Sequence, residues 1–260
     1  MTSLTKKISS NKFSLFLRKA FNFRPPKIIL PDFSNDVSIS DAFLWRTDNG
    51  FETIFKYTDL LRLFYEDENS TIKIPFFDKS NNFLREVKLK INNTSDKLII
   101  NKSFLNGLQS YGSFFIFHEK LKKHSQRNKS KTIIRNSCYT GYSRHNKNPS
   151  FVHGNTPAIA KEIEGSNYYF NFSQWNGFQK NTYVLQNNFE SFDYTELCFV
   201  NPMKKILNIK LNNQKFRIKE HNSLIVKVGK VNFCKIQSNC SFIRPIIFNY
   251  RKKFYDVYHG

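Results

Sequence analysis

Short runs in which Phe, Ile, Val and Tyr alternate with Lys, Asn and Ser recur along the chain, separated by turn residues. Successive side chains of a strand point to opposite faces, so this period of two predicts half-buried β-strands. Within residues 83–91, Phe83, Val87, Leu89 and Ile91 share one face, and Leu207, Ile209 and Leu211 sit opposite Asn208 and Lys210. The same reading places strands at 42–46, 51–57, 71–77, 83–91, 97–100 and 113–118, and again at 168–175, 196–200, 206–211, 215–219, 224–228, 232–237 and 243–250. Turn chemistry falls between them. Residues 78–82 suit a hairpin connection, Asn212-Asn213 suits a tight two-residue turn, and Asn106-Gly107 and Tyr111-Gly112 offer positive-φ positions.

The chain therefore reads as all-β, an antiparallel β-sandwich built from two modules at 32–119 and 167–260. A basic N-terminal arm, 1–31, precedes them, and a basic loop region, 120–166, separates them. Phe13, Phe16, Leu17, Ala20 and Phe21 recur at helical spacing and Pro25-Pro26 closes the run, which predicts a short basic amphipathic helix at 13–23. Such a helix suits its own domain, a partner's groove or the surface of an anionic membrane. Leu60 to Tyr65 fits one helical turn, and Thr156-Pro157 followed by Gly165 has the punctuation of another short helix. The quartets Tyr57-Thr58-Asp59-Leu60 and Tyr194-Thr195-Glu196-Leu197 raise the question of an internal duplication, although four residues in an otherwise dissimilar register match as easily by chance.

With 260 residues the chain can bury a real core without staples. Cys138, Cys198, Cys234 and Cys240 form no C-x-x-C pair, which speaks against a zinc ribbon and for free thiols packed as small hydrophobes. No stretch approaches the ~20 apolar residues that span a bilayer, and lysines and arginines interrupt any secretory signal. A cytoplasmic location is the expectation, or an organellar one if the acid-free N-terminus is a transit peptide. The net charge of +21 is unevenly spread, with +7 in residues 1–31, +10 in 120–161 and +11 in 201–260. Clustered cations concentrate anionic partners, whether nucleic acid, lipid headgroups or acidic glycans. The excess of Lys over Arg, with abundant Asn, Ile and Phe, is also what an AT-rich genome imposes, and specific phosphate readers favour Arg.

Three histidines follow aromatic runs at strand ends: His118, His153 and His259. Were the two modules to bring their loop ends together, these imidazoles would converge on a divalent metal, with Asp256 or Glu119 as a further partner. Independent, locally hydrogen-bonded histidines are the alternative, and His124 and His145 fall in the basic segment, where solvation is expected. The stretch 138–145 interleaves aromatics, glycine and basic residues just before His153. It suggests a ligand-binding rim in which Tyr139 and Tyr142 stack, Arg144 clamps an anion and His153 completes the edge; a strand whose tyrosines cover the core is the plainer account. Trp45-Arg46 and Trp175 invite the same pair of readings. Glu66-Asp67-Glu68 lacks the ligand spacing of a calcium loop and reads as a solvated turn. No nucleophile elbow, phosphate-binding glycine loop or dinucleotide fingerprint is present, so no motif specifies a reaction.

Residues 38–46, Tyr111-Gly112-Ser113-Phe114 leading to His118, residues 150–155, Arg244-Pro245-Ile246 and residues 256–259 together resemble uncharacterised all-β proteins of bacterial surface-polysaccharide loci. The resemblance implies surface-glycan biology and carries over no activity and no catalytic residue. The leading expectation is a protein that binds or modifies a carbohydrate or anionic ligand at Tyr139, Tyr142, Arg144 and His153, with His118 and His259 joining in an enzymatic version. An RNA-associated, ribosomal-type basic protein and a purely structural interaction protein are the alternatives.

Overall fold

The computed structural model describes Phe16 and residues 37–90, 92–129, 132–136, 138–154, 157–162, 168–170, 181–186, 189–201, 205–220, 222–240, 243–252 and 254–260. Of the expected helix at 13–23 only Phe16 is described; it is helical and exposed, and the rest of that expectation, like Trp175, lies outside the described residues. In chain order the strands of the first half are β1 (Val37–Asp41), β2 (Phe43–Arg46), β3 (Phe51–Thr58), β4 (Ile72–Asp78), β5 (Phe83–Leu89), β6 (Ser95–Ile100), β7 (Tyr111–Phe114) and β8 (Phe117–His118). Then come β9 (Ile133–Asn136), β10 (Tyr139–Arg144), β11 (Ser150–His153), β12 (Pro157–Glu162) and β13 (Tyr168–Phe170). The second half holds β14 (Asn181–Gln186), β15 (Tyr194–Val200), β16 (Leu207–Leu211), β17 (Gln214–Ile218), β18 (Ser223–Val228), β19 (Phe233–Ser238), β20 (Ile246–Arg251) and β21 (Phe254–His259). Helices α1 (Leu60–Tyr65) and α2 (Leu121–Asn128) flank the first half.

Among the described residues the fold is all-β and, apart from one parallel pair between β1 and β9, antiparallel. It does not form one clear sandwich. The strands divide among separate sheets, β2-β7-β4-β5 with β8 attached to β4, β11-β10-β3-β6, β14-β19-β16-β17, β18-β15-β20-β21 and the smaller β13-β12-β1-β9. Residues 120–162, expected as loop, carry α2 and β9 to β12, and β10 is an interior strand bonded to both β3 and β11. Polar composition hid these strands because their buried positions are filled by small residues such as Thr140 and Gly141 as well as by Tyr142. The helix expected after Thr156 is strand β12, which pairs with β1 in place of closing a helical turn.

A duplication does exist, at the level of topology. The order β11-β10-β3-β6 is repeated by β21-β20-β15-β18, and β2-β7-β4-β5 by β14-β19-β16-β17. Registers agree residue by residue: Thr53 pairs with Tyr142 and Ile100 as Thr195 pairs with Asn249 and Val228, and both threonines are buried. Gly154 N–H donates to Cys138 C=O at 3.1 Å, and its counterpart Gly260 N–H donates to Pro245 C=O at 3.0 Å. The tyrosine quartets are not the repeat, since Tyr57-Thr58 ends β3 while Tyr194-Thr195 begins β15. The repeated signature is instead Val152-His153-Gly154 against Tyr258-His259-Gly260.

Among the described residues three large apolar clusters hold the paired sheets, and a smaller one of Leu61, Leu121 and Ile134 seats the helices on β9. Phe43, Trp45, Phe55, Ile74, Phe76 and Phe114 fill the space between β2-β7-β4-β5 and β11-β10-β3-β6. Phe199, Leu207, Ile209, Val226, Ile236 and Ile247 do the same for the second pair of sheets. The third cluster joins the halves, with Leu44, Phe51, Tyr142 and Val152 meeting Cys198, Val200, Ile246 and Phe248. Facing alternation breaks in β5 at a bulge. The β4–β5 register shifts between Phe76 and Phe77, so Leu84 joins Val87 and Leu89 in the core and Phe83 is left exposed. All four cysteines are free and buried.

The turns behave largely as their sequences dictate: α1 forms over Leu60–Tyr65, and Asn81, Asn106, Gly107 and Asn212 take positive φ. Gly112 does not; it lies within β7 opposite Trp45, whose Nε1–H donates to Phe77 C=O at 2.8 Å. A Cβ at Gly112 would lie 2.8 Å from the indole and closer still to the Phe77 carbonyl. Gly112→Ala should therefore destabilise the protein by about 1–3 kcal/mol through overpacking, seen as a lower urea midpoint at unchanged slope. Gly229→Ala, where a Cβ meets open space, should leave the midpoint within about 0.5 kcal/mol of the parent.

Candidate functional site

The two halves do not dock through equivalent faces. In β15, Cys198 and Val200 point away from the second half's own core and are covered by the first half. The equivalent face of β11-β10-β3-β6 stays open to solvent. Register makes Lys56 the counterpart of Cys198, Tyr139 that of Ile246 and Lys97 that of Ile225. Where the covered face carries Cys and Ile, the open face carries Lys, Tyr and Lys.

Directly opposed residues of an antiparallel sheet share a face, so Lys97, Lys56, Tyr139 and His153 form one row across four strands. Tyr139 is 48 % exposed, and its ring lies 4.8 Å from the His153 imidazole. The next row holds Ile99, Ile54, Gly141 and Phe151. A Cβ on Gly141 would strike the Phe151 ring, so glycine is what lets that ring lie across β10, with Lys56 Nζ 4.4 Å from its centroid. At the edge, β11 runs beside β21, Ser150 Oγ–H donates to Val257 C=O at 3.1 Å, and the His153 and His259 rings stack at 5.7 Å. Burial, followed by the positive fields of His153 and Arg244, lowers the His259 pKa to about 4, against a hydrogen bond to the His153 backbone that raises it. His259 is thus neutral at pH 7, with a buried Nδ1 that has no hydrogen-bond partner among the described residues.

The expected rim is divided by this geometry. Tyr139 and His153 come together; Tyr142 does not join them, being fully buried with its hydroxyl donating to Leu44 C=O at 2.9 Å. Arg144 sits five residues along β10 from Tyr139, about 17 Å away at the usual strand rise. There its guanidinium lies 5.4 Å from the Tyr250 ring and 5.5 Å from Phe51, and Nε–H donates to Asn49 C=O.

The proposed three-histidine metal centre is likewise divided. His153 and His259 meet, but His118 lies within a buried network where its ring contacts Asn136 at 3.2 Å and accepts from Leu60 N–H at 3.1 Å. Asp59 stands 3.5 Å from the same ring and accepts from Ser70 Oγ–H and from Leu61 and Arg62 N–H. Burial raises the Asp59 pKa, but the adjacent His118 ring and hydrogen bonds from Ser70 and the Arg62 backbone outweigh it and hold the group below the ordinary carboxylate value. Among the described residues no three His, Cys, Asp or Glu side chains are grouped to hold a metal. Glu119 faces Lys73 instead, as an ion pair.

Two residues expected in solvent are not there. His124 is buried on α2, with Nε2 2.9 Å from Asp67 Oδ2 and its ring 4.8 Å from Tyr65. Asp67 is therefore a fastening point between α2 and the α1 turn rather than a solvated or calcium-binding one. His145 is exposed as expected. Thiol chemistry is disfavoured, because burial pushes the Cys138 pKa up to about 12 and raises those of Cys198, Cys234 and Cys240 too.

At the Arg144 end lies a group the sequence did not single out as a unit. Arg46 is fully buried. It clamps Asp48 with two bonds, Nε–Oδ1 at 2.9 Å and Nη2–Oδ2 at 2.8 Å, and reaches Glu196 Oε2 at 2.6 Å and Tyr250 Oη at 3.2 Å. The rings of Phe51 and Phe248 lie 4.6 and 4.8 Å from its guanidinium carbon. Burial would lower the Arg46 pKa, yet the Asp48 bond and the surrounding anionic fields raise it well above its usual value, so the charge is permanent. With four N–H bonds already made, Arg46 is a joint between the halves and not a free ligand clamp. No known protein-family model matches the chain, and no curated protein does.

Arg46→Met should cost about 3–5 kcal/mol in urea denaturation, because it strands Asp48 and Glu196 beside an apolar junction. Adding Asp48→Asn and Glu196→Gln to that variant should recover part of the loss, a non-additivity expected of coupled neighbours. The His259 shift has a defined sign. A folded-state pKa below the unfolded value of 6.5 means the unfolded chain binds the extra proton, so His259 destabilises the fold as pH falls from about 6.5 to about 4. Discounted for solvent screening of a half-buried ring, the full effect is on the order of 1–2 kcal/mol. His259→Gln should flatten that portion of the stability–pH curve, measured by urea midpoints at pH 7 and pH 4.5.

Proposed function

We propose that the protein is a duplicated all-β scaffold that binds an acidic carbohydrate on the open face of β11-β10-β3-β6. The observation that carries this reading is the row Lys97, Lys56, Tyr139, His153, with Phe151 laid flat beside it. An exposed phenol ring held from behind by an imidazole offers a sugar both an apolar platform and a hydroxyl for hydrogen bonding. Lys56 and Lys97 stand directly opposite one another, an arrangement that costs the sheet a few tenths of a kcal/mol. Neither makes an ion pair among the described residues, and a carboxylate or sulfate between them relieves the repulsion. The resemblance to proteins of surface-polysaccharide loci supports the same ligand class, and two of its segments, at 150–155 and 256–259, bring His153 and His259 to the edge of this face.

The test is calorimetric titration of the full chain with oligosaccharides of uronic acid and with their neutral counterparts. Acidic fragments should bind and neutral ones should bind at least several-fold more weakly. Tyr139→Ala should weaken binding about 5- to 10-fold, in keeping with roughly 1 kcal/mol for an exposed aromatic contact, and the Lys56→Gln, Lys97→Gln pair should abolish the preference for acid. Absence of saturable binding would overturn the proposal. So would protein that purifies with RNA and releases it with a steep, log-linear dependence on salt that Tyr139→Ala leaves unchanged.

A further inference from the structure

The outer face of β14-β19-β16-β17 is a second surface whose composition folding does not explain. Tyr183, Leu185, Leu207, Ile209, Leu211, Phe216, Ile218, Cys234 and Ile236 turn inward. The intervening residues face outward and include Lys210, Lys215, Arg217 and Lys235, while the four strands contain no Asp or Glu at all. Lys210 lies directly opposite Lys215, so this sheet too bears like charges in register, and none of the four cations forms an ion pair among the described residues. Two apolar side chains stand among them, Val184 beside Lys235 and Phe233 beside Gln186. Both are more than half exposed, at 53 % and 54 %.

We infer that this face docks on an anionic lipid bilayer. Cations bring a surface to acidic headgroups, and apolar tips among them enter the interfacial layer. Three of the four cations are lysines, point charges that suit laterally mobile headgroups better than the fixed geometry of a bidentate site. A polyanion in water is the rival partner, but valine has no π-face on which a base could stack, and the central positions of the face carry Lys, Asn and Gln instead of aromatics. A bilayer interface, unlike a hydrated polyanion, buries Val184 and Phe233.

The experiment is co-sedimentation of the full chain with vesicles of phosphatidylcholine and of phosphatidylcholine containing 30 % phosphatidylglycerol, in parallel with a fluorescent 20-nucleotide RNA. The parent should bind the acidic vesicles and not the neutral ones. Each cation removed from the face should weaken binding by about 5-fold. The variant Lys210→Gln, Lys215→Gln, Arg217→Gln, Lys235→Gln should therefore lose at least 100-fold. Phe233→Ser should weaken binding several-fold to an extent that salt does not alter. A second variant with the same loss of charge elsewhere, Lys88→Gln, Lys102→Gln, Arg127→Gln, Lys129→Gln, should retain most of the affinity. Equal losses in the two quadruple variants would show only the net charge at work and would overturn the assignment. Failure to prefer acidic vesicles would do the same, as would tighter binding to RNA that disappears in the sheet variant.

Discussion

The junction between the halves depends on one buried guanidinium. Arg46 ends β2 and faces away from its own half's core, toward a surface that Phe51, Phe248 and Tyr250 would otherwise keep dry. An unpaired charge there would cost several kcal/mol, and only partners from both halves remove that cost: Asp48 from the following turn, Glu196 and Tyr250 from the opposing sheet. Tyr250 in turn donates to Glu196 at 2.7 Å, and Tyr194 stacks on Tyr250 at 4.3 Å. Geometry this directional fixes how the halves meet in a way that apolar contact, which slides, does not. The junction continues where β11 runs beside β21, joined by Ser150 and Val257, and there His153 meets His259.

Duplication explains why an open face exists at all. Each half is a pair of sheets whose outer faces began as equivalents, as the shared strand order and registers indicate. Docking through unlike faces covers one copy and leaves the other in solvent. Divergence then follows burial, with Cys198, Ile225 and Ile246 on the covered copy where Lys56, Lys97 and Tyr139 occupy the open one. The histidine pair is what the two copies still hold in common, and one member is half-buried and neutral while the other remains at the rim.

Period-two alternation made the all-β class and most strand positions legible, because an inward residue needs an apolar side chain whatever its neighbours are. The same rule could not see β10, where Gly141 answers to the Phe151 ring and Thr140 is buried, nor the bulge that exchanges Phe83 for Leu84. Charge was read as exposure for Asp67 and His124, which is wrong, since a buried charge is permitted wherever a partner distant in sequence meets it, as also at Arg46. Glu196 is 150 residues from Arg46. Of the rim residues, Tyr139 and His153 could be joined in advance because a hairpin pairs them, whereas Tyr142 and Arg144 were separated from them by strand geometry alone. The true repeat was faint because its equivalence lies in strand order and register, with only His and Gly retained at the ends of β11 and β21.

The positive charge divides along the same lines. Lysines on flexible stems at loops and edges are neutral in their effect on the fold and need no partner. Lys56 opposite Lys97 and Lys210 opposite Lys215 differ, because a sheet holds opposed side chains at ~5 Å between Cβ atoms and neither member can retreat far. A compositional drift toward lysine scatters such residues over the surface without regard to register. A third opposed pair, Lys73 and Lys88, is offset by the ion pair of Lys73 with Glu119. The two pairs whose members form no ion pair among the described residues lie on outward faces carrying exposed apolar or aromatic side chains, one beside Tyr139 and Phe151 and the other on the sheet bearing Val184 and Phe233. That coincidence of opposed cations with exposed apolar tips separates these two faces from the rest of a basic surface, and both proposals rest on it.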